Sequence, residues 1–160
     1  MNKIKRILAA IDLSEYSLET LKSAAELAEN VKAELIVANV INRRDVETFK
    51  KIAARIDNIS IQEFLEHREN DRHREIRELI QSASCAHLPI KILVGTGIPF
   101  KELITIAIDE GADLVVMGAK GRTNVAGVLF GSTAEKMFRH CPVPLLSIRH
   151  FAKGDSARGE

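Results

Sequence analysis

The stretch Leu114-Val115-Val116-Met117-Gly118-Ala119-Lys120-Gly121-Arg122-Thr123-Asn124-Val125-Ala126-Gly127-Val128-Leu129-Phe130-Gly131-Ser132-Thr133 reads as a strand, a glycine-rich loop and the start of a helix. Its opening apolar run shows no polar alternation, the pattern of a strand covered on both faces. Ala134, Met137, Phe138 and Cys141 then form an inward helix stripe that breaks at Pro142, and Leu145 to Ile148 is another strand. Two such strands joined through a helix form a right-handed crossover in a parallel sheet.

The same alternation extends back to the amino terminus. Ile4 to Ile11 is a first buried strand, and Asp12 to Ser17 is a polar turn with Ser14 and Ser17 as candidate N-caps. Leu18, Leu21, Ala25 and Ala28 define a helix, and Leu35 to Val40 a second strand. Residues 42–88 are less regular. Val46, Phe49, Ile52, Ala53 and Ile56 give one amphipathic helix, and Phe64 to Ala83 another. The alternating charges from Glu66 to Glu75 read as a solvated helix face, so His67 and His73 are expected in water. Pro89 to Val94 is a third strand, closed by a turn at Gly95-Thr96-Gly97. Pro99 suits the first turn of a helix whose stripe is Phe100, Leu103, Ile104, Ala107 and Ile108, ending at Gly111.

The architecture is therefore α/β: a single-domain open parallel sheet with helices on both faces. Residues 1–151 are expected to form the domain and 152–160 a frayed polar tail. Pro142 and Pro144 favour a sheet edge for the last strand. An apolar edge needs cover, so a homodimer through Val143–Arg149 is expected.

Composition excludes several classes. The chain has 160 residues, 46% hydrophobic, with net charge +1. Nothing global draws it to nucleic acid or to an anionic membrane. Arg43-Arg44 and Arg72-His73-Arg74 are basic spots diluted by acids. Cys85 and Cys141 are too isolated for a disulfide framework, and no Cys/His cluster suggests a metal site. Neither a signal peptide nor a transmembrane run is evident, so a cytoplasmic location is expected.

Ligands of such sheets sit beyond the carboxyl ends of the strands. Two loops there are chemically unusual: Ala10-Ile11-Asp12-Leu13-Ser14, and Gly118 to Thr133. Gly118 and Gly121 permit close backbone approach. Gly131-Ser132-Thr133 opens a helix, where unpaired N–H groups and the positive dipole end make an anion site. Ser132 and Thr133 add hydroxyls, and Lys120 and Arg122 add charge. The competing reading is a capping box, with Ser132 as N-cap and Glu135 reaching back. The residues alone leave these two readings evenly matched. No G-x-x-x-x-G-K-[ST] occurs, and Gly95-Thr96-Gly97-Ile98-Pro99-Phe100 lacks the third glycine of a dinucleotide fingerprint.

The spacing Gly118-x2-Gly121-x9-Gly131-Ser132-Thr133 resembles the nucleotide-binding signature of the universal stress protein family, ATP-binding type. Lys5 to Ser14, Asp113 to Gly118 and Cys141 to Leu146 are similar to its first, fourth and fifth strand regions. The resemblance implies a Rossmann-like five-stranded sheet of order 3-2-1-4-5 that dimerises through the last strand. It implies an adenine nucleotide, ATP or ADP/AMP, as ligand. By the same resemblance Asp12 contacts the adenosine, with Ala10 and Ile11 beside it, and Val40 lines the adenine pocket. Met117, Gly118, Lys120 and Gly121 match ribose and phosphate contacts. Gly131, Ser132 and Thr133 match the phosphate cradle. Magnesium or manganese would be held mainly by the phosphates.

No residue is assigned a catalytic role. Ser132 lacks a Gly-x-Ser-x-Gly elbow, and no convincing base accompanies Lys120 and Arg122. The first loop also lacks the glycines of pyrophosphate-binding relatives of this fold. The leading expectation is a nucleotide-binding stress or signalling protein whose ligand orders the 118–133 loop. The alternatives are a slow metal-dependent ATPase or phosphotransferase, and a nucleotide-free dimeric interaction module.

Overall fold

The computed structural model describes residues 2–121 and 130–150. Five strands, β1 (Arg6–Ala10), β2 (Glu34–Asn42), β3 (Ile90–Gly97), β4 (Leu114–Gly118) and β5 (Leu145–Ile148), alternate with helices α1 (Ser17–Val31), α2 (Arg43–Ala53), α3 (Ile61–Ser82), α4 (Pro99–Asp109) and α5 (Ser132–His140). All four strand pairings are parallel and the order is β3-β2-β1-β4-β5. This is the expected single-domain, Rossmann-like sheet.

Central β1 carries the core because both its faces are covered. Ile7 and Ala9 pack with Leu21 and Ala24 of α1 and with Ile76 and Ile80 of α3. Leu8 and Ala10 pack on the other face with Leu103 and Ala107 of α4 and with Ala134 and Met137 of α5. Successive strand residues point to opposite faces, so an unbroken apolar run is what a two-sided sheet requires. Ala10 pairs with Ala38 on one side and Met117 on the other. The carboxyl ends of β1, β2 and β4 therefore reach one edge of the molecule together.

Several local expectations are corrected. Gly95-Thr96-Gly97 is not a turn: it extends β3 and pairs with Val40, Ile41 and Asn42 of the lengthened β2. Turn propensity yields here to the backbone groups of β2, which need partners. Neither serine caps α1. Its N-cap is Tyr16, without a side-chain cap bond, while Asp12 organises the turn below it. Phe138, Ile108, Ile52 and Ile56 were placed on buried stripes, yet each is about half exposed, at 49%, 57%, 53% and 52%. Ile56 lies beyond the end of α2 at Ala53, and the helices carrying the other three each bury a narrower stripe than the apolar residues suggest. In α5, Ala134 and Met137 fill it.

Among the described residues β5 lies at a sheet edge and pairs with β4 alone. Among the described residues, no helix is long and apolar enough to cross a membrane. The tail 152–160 lies outside the described residues.

Candidate functional site

Beyond the carboxyl ends of β1 and β4 the chain diverges. The crossovers α1 and α3 cover one face of the sheet, and α4 and α5 the other. A cleft of about 330 Å³ opens at this switch point, where ligands of such sheets bind. Its floor is Ala10 from β1 with Ile11 and Asp12 directly after it, Val40 from β2, and Met117 and Gly118 from β4. Lys120, Gly121, Gly131, Ser132 and Thr133 form one wall. The structure thus brings together every residue singled out from the sequence except Arg122, which lies outside the described residues.

Asp12 is held by its surroundings. Its Oδ1 accepts a bond from the Ser14 amide at 3.0 Å and from Ser17 Oγ at 3.2 Å. This fixes the carboxylate at the start of α1, beside the positive end of the helix. On the opposite wall, the Gly131 amide donates to the Ala119 carbonyl at 2.7 Å. That bond brings the two ends of the glycine-rich loop together, although residues 122–129 between them are not described.

The capping box is not formed. Gly131 is the N-cap of α5 and makes no side-chain cap bond; Ser132 is already helical. Glu135 pairs forward with Arg139 at 2.9 Å instead of reaching back. The first turn of α5, which faces the cleft through Ser132 and Thr133, thus lacks the side-chain cap that the competing reading required.

The glycines are tightly enclosed. A Cβ on Gly118 would lie 3.1 Å from the Lys120 carbonyl and 3.2 Å from Thr20 Oγ1, and a Cβ on Gly121 would collide with the Asp12 carboxylate. Gly131 differs, since its nearest neighbour would stand at 3.6 Å, an ordinary contact.

Other lining residues were not among the site residues expected from the sequence. Tyr16, Ser17 and Thr20 come from the start of α1, and Pro99 and Leu103 from α4. His150 stacks on Tyr16 with ring centroids 5.2 Å apart and pairs with Glu19, tying the end of β5 to that wall. Asn39, Asn42, Arg44 and Asp45 line the β2 side, joined by Arg72 from α3. Arg72 corrects the solvated-face reading, for it is only 8% exposed. Its signal was helical phase: Arg72, Ile76 and Ile80 recur every fourth residue and share the buried face of α3. Asn39 had a similar signal, as a polar residue in a run of strand positions that is otherwise apolar.

The fold and the cleft define a Rossmann-like α/β architecture with an open switch point, and comparison with known proteins narrows it. The Universal stress protein family model matches residues 3–149, and the chain belongs to this family. Universal stress protein MJ0531 of Methanocaldococcus jannaschii is 30% identical over 144 residues, covering 89% of this chain and 81% of its own length. MJ0577 of the same organism is 27% identical over 153 residues, covering 91% and 94%. The solved MJ0577 structure superimposes with a TM-score of 0.75 at 22% identity, over 94% of this chain and 99% of that one. A universal stress protein solved in complex with cAMP superimposes with a TM-score of 0.65 at 21% identity, over 92% and 98%. At these identities the superpositions speak to the fold.

Proposed function

We propose that this protein binds an adenine nucleotide, ATP or its ADP or AMP forms, in the cleft at the β1/β4 switch point, as part of a stress-response or signalling role. The observation that carries this reading is the convergence of the uncapped start of α5 with Lys120 and the enclosed glycines Gly118 and Gly121, opposite Asp12. An N-terminal helix turn and a lysine form an anion site. Close-packed glycines let the backbone approach phosphate oxygens. The cAMP complex of a structural neighbour supports a cyclic or linear adenine nucleotide as the class to test first.

In this reading the phosphates lie over Gly131, Ser132 and Thr133, with Lys120 and Arg122 balancing their charge. The ribose lies by Met117, Gly118 and Gly121. The adenosine contacts Asp12, with Ala10 and Ile11 beside it and the base toward Val40. Phosphate contacts at both ends of the 118–133 loop would order it, and the ordered loop would present a changed surface to a partner. Among the described residues no group of three His, Cys, Asp or Glu side chains is placed to hold a metal ion. A magnesium or manganese ion would accordingly be carried by the phosphates, supplying charge neutralisation. The open edge of β5, with Leu146 41% exposed, supports dimerisation through Val143–Arg149.

Isothermal calorimetry with ATP, ADP, AMP and cAMP tests the proposal. Saturable binding of at least one is expected, together with adenine nucleotide released on denaturing the purified protein. Absence of binding by all four, at protein concentrations that detect a millimolar complex, overturns it.

A further inference from the structure

Helix α2 is held to the molecule along one line. Val46 is its single buried residue, and Phe49 stacks on Phe64 of α3 with ring centroids 3.7 Å apart. Most of its other side chains are exposed. The winding continues past Ala53, because the Arg55 and Ile56 amides donate to the Ile52 and Ala53 carbonyls at 3.1 Å and 3.2 Å.

Two exposed stripes run side by side on this surface. Each residue turns a helix by about 100°, so Ile52 and Ile56 form one stripe next to Phe49. Both isoleucines are about half exposed, a costly position for large apolar side chains. Arg44, Lys51 and Arg55 recur at intervals that align them in the neighbouring ridge. All three are exposed, and among the described residues none of them is in an ion pair. The acids of the segment stand off that ridge. Glu47 pairs with Lys50 at 3.9 Å, Asp45 lines the cleft at the start of the helix, and Asp57 follows the last turn. From Arg44 to Arg55 the ridge is roughly 16 Å long, about three turns of a facing helix.

The complement of an apolar stripe beside a cation ridge is a helix with apolar residues on one line and carboxylates on the next. We propose that the exposed face of α2 docks an acidic amphipathic helix of a partner protein, its apolar side chains on Ile52 and Ile56 and its carboxylates along Arg44, Lys51 and Arg55. An anionic membrane fits this face less well. A flat charged surface would meet Asp45, Glu47 and Asp57 along with the cations, and the net charge of +1 adds little long-range attraction. A second copy of the chain brings the same cations to the contact instead of acids. A partner helix needs its carboxylates only along the ridge. This docking is independent of what fills the cleft.

Fluorescence anisotropy with labelled helical peptides about fifteen residues long tests the proposal. One peptide carries leucines at every third or fourth position and glutamates along the adjacent line; its twin has lysines in place of the glutamates. The acidic peptide is expected to bind saturably, about tenfold or more tightly than its twin, and to weaken as salt rises. The double variant Lys51→Glu, Arg55→Glu should reverse the order of the two peptides. Ile52→Ser should weaken the acidic peptide by about tenfold, as loss of a buried isoleucine contact does. These side chains are exposed, so both variants should melt with the parent. If the double variant does not fold, the wild-type comparison and Ile52→Ser still decide. No saturable binding of the acidic peptide at millimolar concentration, equal binding of the twins, or an unreversed order in the folded double variant overturns the proposal. So does co-sedimentation with phosphatidylserine vesicles in place of peptide binding, which assigns the face to lipid. Self-association in sedimentation velocity that Ile52→Ser abolishes, again without peptide binding, assigns it to a second copy and likewise overturns the proposal.

Discussion

Gly121 lies against the Asp12 carboxylate so closely that a Cβ added there would stand 2.3 Å from its Oδ2. The two residues come from different loops, one following β1 and the other β4, and their contact joins the two halves of the cleft. A Gly121→Ala chain must move Asp12 away from the Ser14 amide and Ser17 Oγ, which hold it. Nucleotide affinity should fall about tenfold or more, the cost of displacing one charge-assisted contact. The contact lies outside both core clusters, so stability should change by only about 1 kcal/mol. Calorimetry and thermal melting on the same variant check the two parts.

Gly131 offers the contrasting experiment. Its Cβ position is open, with nothing closer than 3.6 Å. Gly131→Ala should melt within about 0.5 kcal/mol of the parent. Gly131→Val, with branches that reach into the phosphate approach, should abolish saturable binding in the calorimeter while remaining folded. A Gly131→Val chain that binds ATP normally would place the phosphates elsewhere.

At the opposite end of the sheet, Asp113 accepts bonds from the Lys5 amide at 2.8 Å and the Arg6 amide at 3.0 Å. These bonds hold its carboxyl below the ordinary aspartate value of 3.8. A folded-state value below the unfolded one means that the stabilisation is present above that ordinary value. It is lost as pH falls through the lower folded value. Asp113→Asn should therefore flatten the acid limb of the stability curve below about pH 4. Urea melts of both chains between pH 2 and pH 6 measure this, and parallel acid limbs would deny the role.

The edge strand leads to an association prediction. Leu146 is exposed on β5, the strand proposed to pair with a second copy. Leu146→Asp should convert a dimer to a monomer in sedimentation velocity without lowering the melting temperature of the monomer fold. A parent chain that sediments as a monomer at micromolar concentration would remove the proposed interface.

Core packing supplies the last test. Leu21 of α1 is fully buried in the core cluster it shares with residues of β1 and α3. Leu21→Ala should cost about 2–5 kcal/mol, as buried leucines do. Chemical denaturation measures the loss directly.

Much of this molecule was legible in its residues because short-range patterns carry the information. Unbroken apolar runs such as Leu35 to Val40 mark strands buried on both faces, and a strand–helix alternation admits few topologies. The glycine spacing from Gly118 to Gly131 likewise marks a loop where backbone and ligand can approach. Other features escaped a local reading. Gly95 to Gly97 looks like a turn until the pairing demands of β2 are known. Arg72 looks solvated within a charged stretch until the phase of Ile76 and Ile80 is set against β2 and α1.

The sequence by itself determined the α/β class, the run of strands and helices, and the loop on which any ligand chemistry must rest. These depend on periodicity and backbone preference over a few residues. Only the tertiary structure decided that Gly121 abuts Asp12, that α5 begins without its capping box, and that Asn39 and Arg72 share one cleft. Each of those is a contact between segments distant along the chain, or a competition that the folded surroundings resolve. Packing sets such relationships, and no local pattern encodes them.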